Sequence, residues 1–350
     1  MSWFGKLFSR DEESVVLVDI GSASVAGAYA HFKKGEQPSV VYTKRVPIVA
    51  REGAEVAEDM ERALAVLTEA LIVEGVPELA RATGSGKVSG VLASIAAPWQ
   101  DTAVRTETIE KAKPFTFSHG LVNEAIRVTE PPLEGKTMSE ESVIATFLDG
   151  YETSNPFGKR ATKADVVILS SSLDASVAET VTKALQRAYH THEIRLTAFA
   201  PVAYAVFRDV YPHEKNFLIL DVTGQGSDLT LVKRGILAAA ISTPHGIQQL
   251  QASKEDWVKG LTEVLGNLAQ KHALPRTLFV LAEESSSDIL KSILDEAPFR
   301  SVWLSDDPLA MIPILPEHFA PYVRTQGLAA GDVFLAMLAL YERKGIDVSK

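Results

Sequence analysis

Two short runs of acidic and small residues, far apart in the chain, carry the side chains best suited to chemistry. The first follows the apolar run Val15–Val18 and consists of Asp19, Gly21, Ser22 and Ser24. A turn of small residues leaves its backbone N–H groups open to phosphate oxygens, and a carboxylate at the end of a buried strand is a common Mg²⁺ ligand. These residues therefore predict a site for a phosphate group and its magnesium ion.

The second run repeats this pattern with changes. It follows the apolar run Phe217–Leu220 and contains Asp221, Thr223, Gly224, Gln225, Gly226 and Asp228. Two similar strand–turn–strand segments predict two related lobes that face each other across a nucleotide. On this interpretation, Asp19 and Asp221 would be the magnesium ligands.

The elements that must hold these runs are predicted by the spacing of apolar residues. Period-two runs bounded by Gly and Ser predict a β-hairpin over 15–32 and another over 217–237. The three-to-four spacing of Met60, Leu64, Leu67 and Leu71 predicts a helix over 54–73. Further helices are predicted over 118–128, 174–189, 201–209, 254–271, 287–294 and 331–343, and further strands over 39–46, 88–97, 101–109, 142–148, 151–153, 165–170, 193–196 and 277–281. This mixture predicts an α/β protein, with a small α+β domain inserted near residues 98–160.

Composition limits the functions that the chain can have. It has 350 residues, of which 46% are hydrophobic and 23% charged, which is typical of a soluble protein with two or three domains. The net charge of −10 argues against nucleic-acid binding, which needs a basic face. The absence of cysteine excludes disulfides, thiolate catalysis and cysteine-ligated zinc. No run approaches the roughly twenty apolar residues of a spanning helix.

The first residues have a different character. Trp3, Phe4, Leu7 and Phe8 recur at helical spacing beside Lys6. Bulky apolar groups flanked by basic residues on a short helix are typical of an interfacial membrane anchor. The alternative is that Trp3 or Phe4 packs against the body of the protein.

These motifs resemble those of the actin-like ATPase superfamily. Val18–Val25 is similar to its first phosphate loop, Asp221–Asp228 to its second, and Pro201–Ala203 to its connecting helix. Residues 98–128 and 148–159 are similar to the inserted domain of FtsA, a bacterial cell-division family related to the PilM family of type IV pilus assembly. The resemblance implies an actin-like (ribonuclease H-like) two-lobed fold with an inserted domain of the FtsA type. It also implies ATP and Mg²⁺ binding by Asp19, Gly21, Ser22, Ser24, Asp221, Gly224 and Asp228.

The sequence departs from the family where nucleotide chemistry would occur. The family has an acidic or amide residue before the connecting proline, whereas this chain has Ala200, which cannot orient or deprotonate water. Glu283 and Glu284 stand where the family has the paired glycines that contact adenine. Between Gly246 and the adenine strand, the chain has room for only about one helix and a linker. We therefore expect a reduced second lobe, no catalytic residue, and either weakened ATP and Mg²⁺ binding or none.

The expected organisation follows from this resemblance. We predict an amphipathic segment over 1–12, a first lobe over 13–98 and 162–212, an inserted α+β domain over 99–161, a reduced second lobe over 213–327 and a terminal helix over 328–350. The predicted function is an FtsA-like scaffold at the cytoplasmic face of the membrane, which binds division proteins through the inserted domain and could self-associate. The alternatives are a PilM-like pilus platform protein and an active actin-fold ATPase or small-molecule kinase.

Overall fold

Alternating strands and helices fold into two units in a computed structural model of the protein, which describes residues 12–127, 133–222, 224–296, 302–303 and 309–348. The predicted anchor residues Trp3, Phe4, Leu7 and Phe8 lie outside the described residues, as does Thr223. The first unit contains Met1–Ile95, Glu179–Leu196 and Ile314–Lys350. The second contains Ala96–Ala178 and Thr197–Pro313.

The strands and helices have the following bounds. The strands are β1 (Glu12–Ile20), β2 (Ser24–Lys33), β3 (Ser39–Pro47), β4 (Gly90–Ile95), β5 (Gln100–Thr116), β6 (Lys136–Leu148), β7 (Tyr151–Glu152), β8 (Arg160–Asp174), β9 (Ile194–Ala198), β10 (Phe217–Val222), β11 (Ser227–Lys233), β12 (Ile236–Thr243), β13 (Thr277–Leu281), β14 (Ala310–Pro313) and β15 (Arg324–Leu328). The α-helices are α1 (Val56–Ala70), α2 (Val76–Thr83), α3 (His119–Arg127), α4 (Ala175–Tyr189), α5 (Phe199–Val210), α6 (Ile247–Ala252), α7 (Lys254–Lys271), α8 (Glu284–Glu296) and α9 (Val333–Val348). A π-helical turn covers Leu71–Gly75, and a 3₁₀ turn covers Pro316–Phe319.

A six-stranded sheet forms the centre of the first unit, in the order β15-β3-β2-β1-β4-β9. As predicted, β1 and β2 form an antiparallel hairpin. The pairing of β4, which runs parallel to β1, was not predicted. Val16, Leu17 and Val18 of β1 are fully buried because both faces of the sheet are covered. This continuous apolar run fixes the position of the residues that follow it, including Asp19.

One helical segment, α1 with the π turn and α2, packs on the six-stranded sheet. Its buried residues Met60, Leu64, Leu67 and Leu71 follow the predicted spacing. At the π turn, Gly75 lies so close to two strands that a Cβ there would approach the Tyr29 ring to 2.6 Å and the Tyr42 ring to 3.0 Å. The predicted helix over 54–73 is therefore longer than expected, since it continues through the π turn to Thr83.

The second unit contains a five-stranded sheet in the order β12-β11-β10-β13-β14. The predicted hairpin is present as the antiparallel pair β10 and β11, and β13 runs parallel to β10. Helix α7 covers this sheet with Trp257, Leu261, Leu265 and Leu268, which recur at helical spacing and are all buried. Where we expected one helix and a linker after Gly246, the chain forms two helices, α6 and α7.

The second unit also contains a four-stranded sheet, in the order β5-β8-β6-β7, with α3 beside it. Its core includes Phe117, Ala125, Val166 and Ile168. We expected a strand over 165–170 to belong to the first lobe. That interpretation was wrong, because these residues are the middle of β8, which pairs with β5 and β6.

Two further observations bear on the predicted organisation. Residues 324–327 were expected in the second lobe and Leu328 in the terminal helix, but Arg324–Leu328 form β15, which pairs with β3 at the edge of the six-stranded sheet. No helix in the described part of the chain is both long and apolar enough to cross a membrane.

Candidate functional site

The first predicted run lies at the carboxyl end of β1, in the first unit. Asp19 has Ala26 of β2 and Ser94 of β4 as its neighbours in the sheet. The turn after β1 closes with a hydrogen bond from the Gly21 backbone N–H to the Ser24 carbonyl oxygen (3.0 Å). A Cβ at position 21 would lie 3.3 Å from the same oxygen, so the turn is tight at the predicted glycine. The side chain of Ser22 is buried within this turn.

A guanidinium group occupies the polar side of this turn. Arg45 of β3 donates from Nη1 to Ser24 Oγ (2.6 Å) and from Nη2 to Asp19 Oδ2 (3.3 Å). Its Nε donates to Asp332 Oδ2 (2.9 Å), and its Nη2 donates to Asp332 Oδ1 (3.1 Å). The Arg45 Cζ also lies 5.3 Å from the centre of the Phe334 ring. One planar cation thus joins the turn to the start of α9, and we call these contacts of Arg45 with Asp19, Ser24 and Asp332 the Arg45 bridge.

Asp332 is held in place by the helix that follows it. Its Oδ1 accepts a hydrogen bond from the Leu335 backbone N–H (3.1 Å), which is the contact that an N-cap residue makes. A carboxylate is also favourable at this end of α9, because the helix dipole is positive there. The Arg45 bridge therefore connects β1, β2, β3 and α9 through side chains whose positions are fixed by secondary structure.

The Asp19 carboxylate is buried, and this burial raises its pKa to about 6, while the Arg45 cation opposes the increase and Asp332 adds to it. Asp19 Oδ1 accepts a hydrogen bond from Ser94 Oγ (3.2 Å), so both carboxylate oxygens accept from protein donors. A magnesium ion at Asp19 would have to displace a guanidinium that already supplies positive charge. The residues around Asp19 therefore do not fit a magnesium site in this arrangement.

The second predicted run lies at the end of β10, in the second unit. Asp221 and Asp228 face each other in the register of β10 and β11, and both are buried. The turn between them is packed tightly under another segment. A Cβ on Gly246 would lie 2.6 Å from the Gly224 carbonyl oxygen, and the Gln248 N–H donates to that oxygen (2.9 Å). Residue 246 must therefore be glycine for the turn to keep this position.

Neutral groups surround the Asp228 carboxylate. Ser242 Oγ donates to Oδ1 (2.5 Å), and Gln100 Nε2 donates to Oδ2. Burial raises the pKa of Asp228 to about 6, although these two hydrogen bonds favour the ionised form. The oxygen of the same Gln100 amide accepts from the Ala200 backbone N–H (3.2 Å), so Gln100 joins β11 to the start of α5.

Ala200, at the expected catalytic position, is buried and contributes only its backbone to this network. Gln100 is the nearest candidate for a displaced catalytic amide, but its nitrogen and its oxygen both bond to protein groups, and it is 1% exposed. Glu283 is partly buried in the short connection between β13 and α8, and the side chain of Glu284 is outside the described residues. In the described residues, no group of three or more His, Asp or Glu side chains could hold a metal ion.

The structure brings together the predicted residues of each run and adds partners that the sequence did not reveal. Within the first unit, Asp19 and Ser24 meet at Arg45, beside Gly21 and Ser22. Within the second unit, Asp221 and Asp228 stand opposite each other in the register of β10 and β11, at the two sides of the turn that contains Gly224. The partners that sequence reasoning missed are Arg45, Asp332, Ser94, Gln100 and Ser242.

Comparison with solved structures identifies the fold. No protein-family model and no curated protein match the sequence. The structure is similar to that of a PilM–PilN type IV pilus biogenesis complex, at 15% identity over 94% of this chain and 98% of that chain, with a TM-score of 0.54. It is also similar to a Bacteroides thetaiotaomicron protein with an actin-like ATPase fold and unknown function, at 11% identity over 96% and 99% of the two chains and a TM-score of 0.48. A Ppx/GppA enzyme of Aquifex aeolicus matches at 16% identity over 82% and 74%, with a TM-score of 0.38.

The likeness to the PilM–PilN structure shows that the chain has the actin-like ATPase fold. In this fold, the predicted phosphate loops are the turns after β1 and after β10, each at the end of a central strand that has an antiparallel and a parallel neighbour. The assignment of β5–β8 and α3 to an inserted domain of the FtsA type stays a prediction.

Proposed function

We propose that this chain is an actin-fold adaptor that does not hydrolyse ATP and that acts by binding other proteins of a bacterial assembly. The observation that carries this proposal is the Arg45 bridge, which places a protein cation on the carboxylate of the first phosphate loop. A protein built around a bound nucleotide would instead leave this carboxylate accessible to the metal–phosphate group.

The Arg45 bridge also supports weakened nucleotide binding on energetic grounds. Magnesium phosphate at Asp19 would compete with Arg45, although the magnesium ion would itself supply positive charge to the carboxylate. Arg45 would keep its contacts with Asp332 but lose its hydrogen bond to Asp19. A hydrogen bond between charged groups contributes about 1.5–3 kcal/mol, so its loss would weaken binding by about one to two orders of magnitude.

The two residues of the second unit considered for the catalytic position, Ala200 and Gln100, also support the proposal. A general base or water-orienting residue must reach a water molecule with a free polar atom. Ala200 has none, and the amide of Gln100 is bonded to Asp228 and to the backbone of Ala200. The alternative of an active ATPase or small-molecule kinase would need a catalytic residue from elsewhere.

The first experiment compares nucleotide binding and turnover in the wild type and in Asp19→Ala. We expect no magnesium-dependent ATP hydrolysis and no thermal shift with Mg-ATP or Mg-ADP. A ligand at a hundredfold excess over its Kd would stabilise the protein by about 2.7 kcal/mol, which a melting curve detects readily. Hydrolysis by the wild type that is lost in Asp19→Ala, but retained in the surface variant Arg324→Met, would contradict the adaptor function and support an ATPase or kinase.

We propose a pilus-assembly role like that of PilM as the first candidate, because the likeness to the PilM–PilN complex extends over nearly the whole of both chains. The second candidate is an FtsA-like role in cell division. It is supported by the similarity of residues 98–128 and 148–159 to the inserted domain of FtsA. Surface plasmon resonance against the PilN-like protein and against the tubulin-like division protein of the same organism separates the two roles. Binding to neither would contradict both.

We further propose that the chain lies at the cytoplasmic face of the membrane and contacts it peripherally through Trp3, Phe4, Leu7 and Phe8. A variant that lacks residues 1–9 should lose co-sedimentation with vesicles of anionic lipid. If this variant sediments with vesicles as well as the full chain does, the anchor hypothesis is wrong.

A further inference from the structure

A cavity of about 210 Å³ lies in the first unit, at the edge of the six-stranded sheet. The 3₁₀ turn at Pro316–Phe319 and the start of α9 form one side, and β3 and β15 form the other. Most of the lining is apolar and includes Val40, Phe319, Leu335 and Ala336. This lining would bind the aliphatic part of a ligand.

The charges at this cavity are all negative. Glu317 and Asp332 line it, and none of the described lining residues is a lysine, arginine or histidine. Asp332 also bonds to Arg45, but Arg45 is shared with Asp19, so two carboxylates divide one cation and a net negative charge remains. An occupant with a positive charge would therefore be favoured over a neutral or acidic one.

The size of the cavity restricts the occupant further. Pockets for cofactors and drug-sized ligands hold about 300–1,000 Å³, so a cavity of about 210 Å³ is too small for a nucleotide. A single lysine or arginine side chain, with an apolar stem and a charged end, fits both the size and the lining.

The edge of the sheet beside this cavity can hold the backbone of such an occupant. β15 is the outer strand, all five of its residues are exposed, and no strand of the described residues pairs with its other edge. Leu328 of this strand is 64% exposed, and Tyr322 just before it is 37% exposed. An exposed strand edge flanked by apolar side chains is a surface to which an extended segment of another protein can add.

We propose that this edge and cavity form a docking site for an extended segment of a partner protein, in which a lysine or arginine between apolar residues enters the cavity and its charge meets Asp332 and Glu317. This inference rests on the proposed adaptor function and adds the chemistry of the partner. Asp332 is also part of the Arg45 bridge. A cation that draws Asp332 into the cavity would therefore weaken its bonds to Arg45, which also contacts Asp19 and Ser24.

The test measures the binding of two short acetylated peptides to the full-length protein by fluorescence anisotropy. One peptide has a lysine between leucines, and its twin has glutamate in place of lysine. We expect saturable binding of the lysine peptide and none of its twin. Ala336→Leu should fill the cavity and weaken binding by about tenfold or more, whereas Ala65→Leu on the exposed face of α1 should leave it unchanged.

A second variant separates a docking site from a general loss of folding. Asp332→Asn should weaken binding of the lysine peptide, and its melting curve with and without the peptide shows whether the protein is folded in the assay.

Equal binding of the two peptides, no binding of either, or unchanged binding in Ala336→Leu would overturn the proposal. Self-association of the chain through this edge, detected by light scattering and lost in Ala336→Leu, would also overturn it in favour of a second copy. None of these outcomes depends on ATP hydrolysis, which tests the adaptor function separately.

Discussion

The turns after β1 and after β10 share a sequence pattern, but different kinds of donor stabilise their buried carboxylates. Asp19 is paired with the guanidinium of Arg45 and, through it, with a second acid, Asp332. Asp228 accepts hydrogen bonds from an amide and a hydroxyl, both uncharged. Burial raises the pKa of both carboxyls to about 6.

This difference shows which of the two sites depends on one side chain. Removal of the Arg45 charge, which among the described residues joins the two acids of the first site, would leave Asp19 and Asp332 in a region of low dielectric. Removal of one neutral donor from the second site would leave another donor in place. A single substitution should therefore disrupt the first turn more than the second.

The largest effect is expected from Arg45→Met, which keeps the apolar stem and removes the charge. Because Asp19 and Asp332 lose their shared cation, the free energy of unfolding should fall by about 3–5 kcal/mol. Urea denaturation measures the change. The matched control is Arg324→Met, whose ion pair with Glu36 is exposed on both sides and should contribute about 0.5 kcal/mol or less. Similar losses in the two variants would mean that the Arg45 bridge contributes no more than a surface ion pair.

A somewhat smaller effect is expected from Gly246→Ala in the second unit. The new Cβ would lie 2.6 Å from backbone atoms of Gly224, Gln225 and Gly226, which cannot rotate away as a side chain could. Overpacking of this kind costs about 1–3 kcal/mol. The control is Gly345→Ala in α9, where a Cβ meets nothing within 4 Å and alanine favours the helix. Calorimetric melting of both variants should show opposite shifts of Tm.

Gln100→Leu tests the neutral network of the second turn. The substitution removes one donor from Asp228 and the acceptor of the Ala200 N–H, while Ser242 keeps its hydrogen bond. A buried donor without an acceptor costs about 1–3 kcal/mol, so the loss should be smaller than in Arg45→Met. A greater loss than in Arg45→Met, measured in the same urea titration, would reverse the order that we propose for the two turns.

The smallest effect is the pH dependence due to Asp228. Because its pKa is about 6 when folded and near 3.9 when unfolded, the folded state binds more protons between these values. The contribution of this group to stability is therefore full below about pH 4 and is lost as the pH rises through about 6. Asp228→Asn should remove this decline, since the hydroxyl of Ser242 can accept from the new amide. Parallel pH profiles of the wild type and Asp228→Asn would contradict the raised pKa.

Much of the fold followed from the sequence because local patterns determine it. The apolar runs of β1 and β10, with small residues after them, predict the two hairpins, and the spacing of Met60, Leu64 and Leu67 predicts α1. The strand over 165–170 was placed in the wrong sheet, because an apolar run gives the existence of a strand but does not reveal its neighbours.

The partners of the candidate site were harder to predict because they come from distant parts of the chain. Arg45 and Asp332 are separated by 287 positions, and no local pattern connects them. Arg45 also follows Lys44 on β3, so the sequence does not indicate which of the two basic residues faces Asp19. The acidic residues of both turns were recognisable because each ends an apolar run, whereas Gln100 and Ser242 stand in mixed sequence without such a signal.

The π turn at Leu71–Gly75 is the place where this helical segment can change its length. A π turn holds one residue more than an α turn, so deletion of the exposed Val73 would leave a regular α-helix in which Leu79 stays buried. Deletion of the exposed Val66 inside α1 would instead rotate the two parts of the helix relative to each other by about 100°. Met60 and Leu79 could then no longer both face the sheet. The segment can therefore lose one residue at the π turn, whereas the loss of one residue inside α1 would put half of its apolar face into solvent.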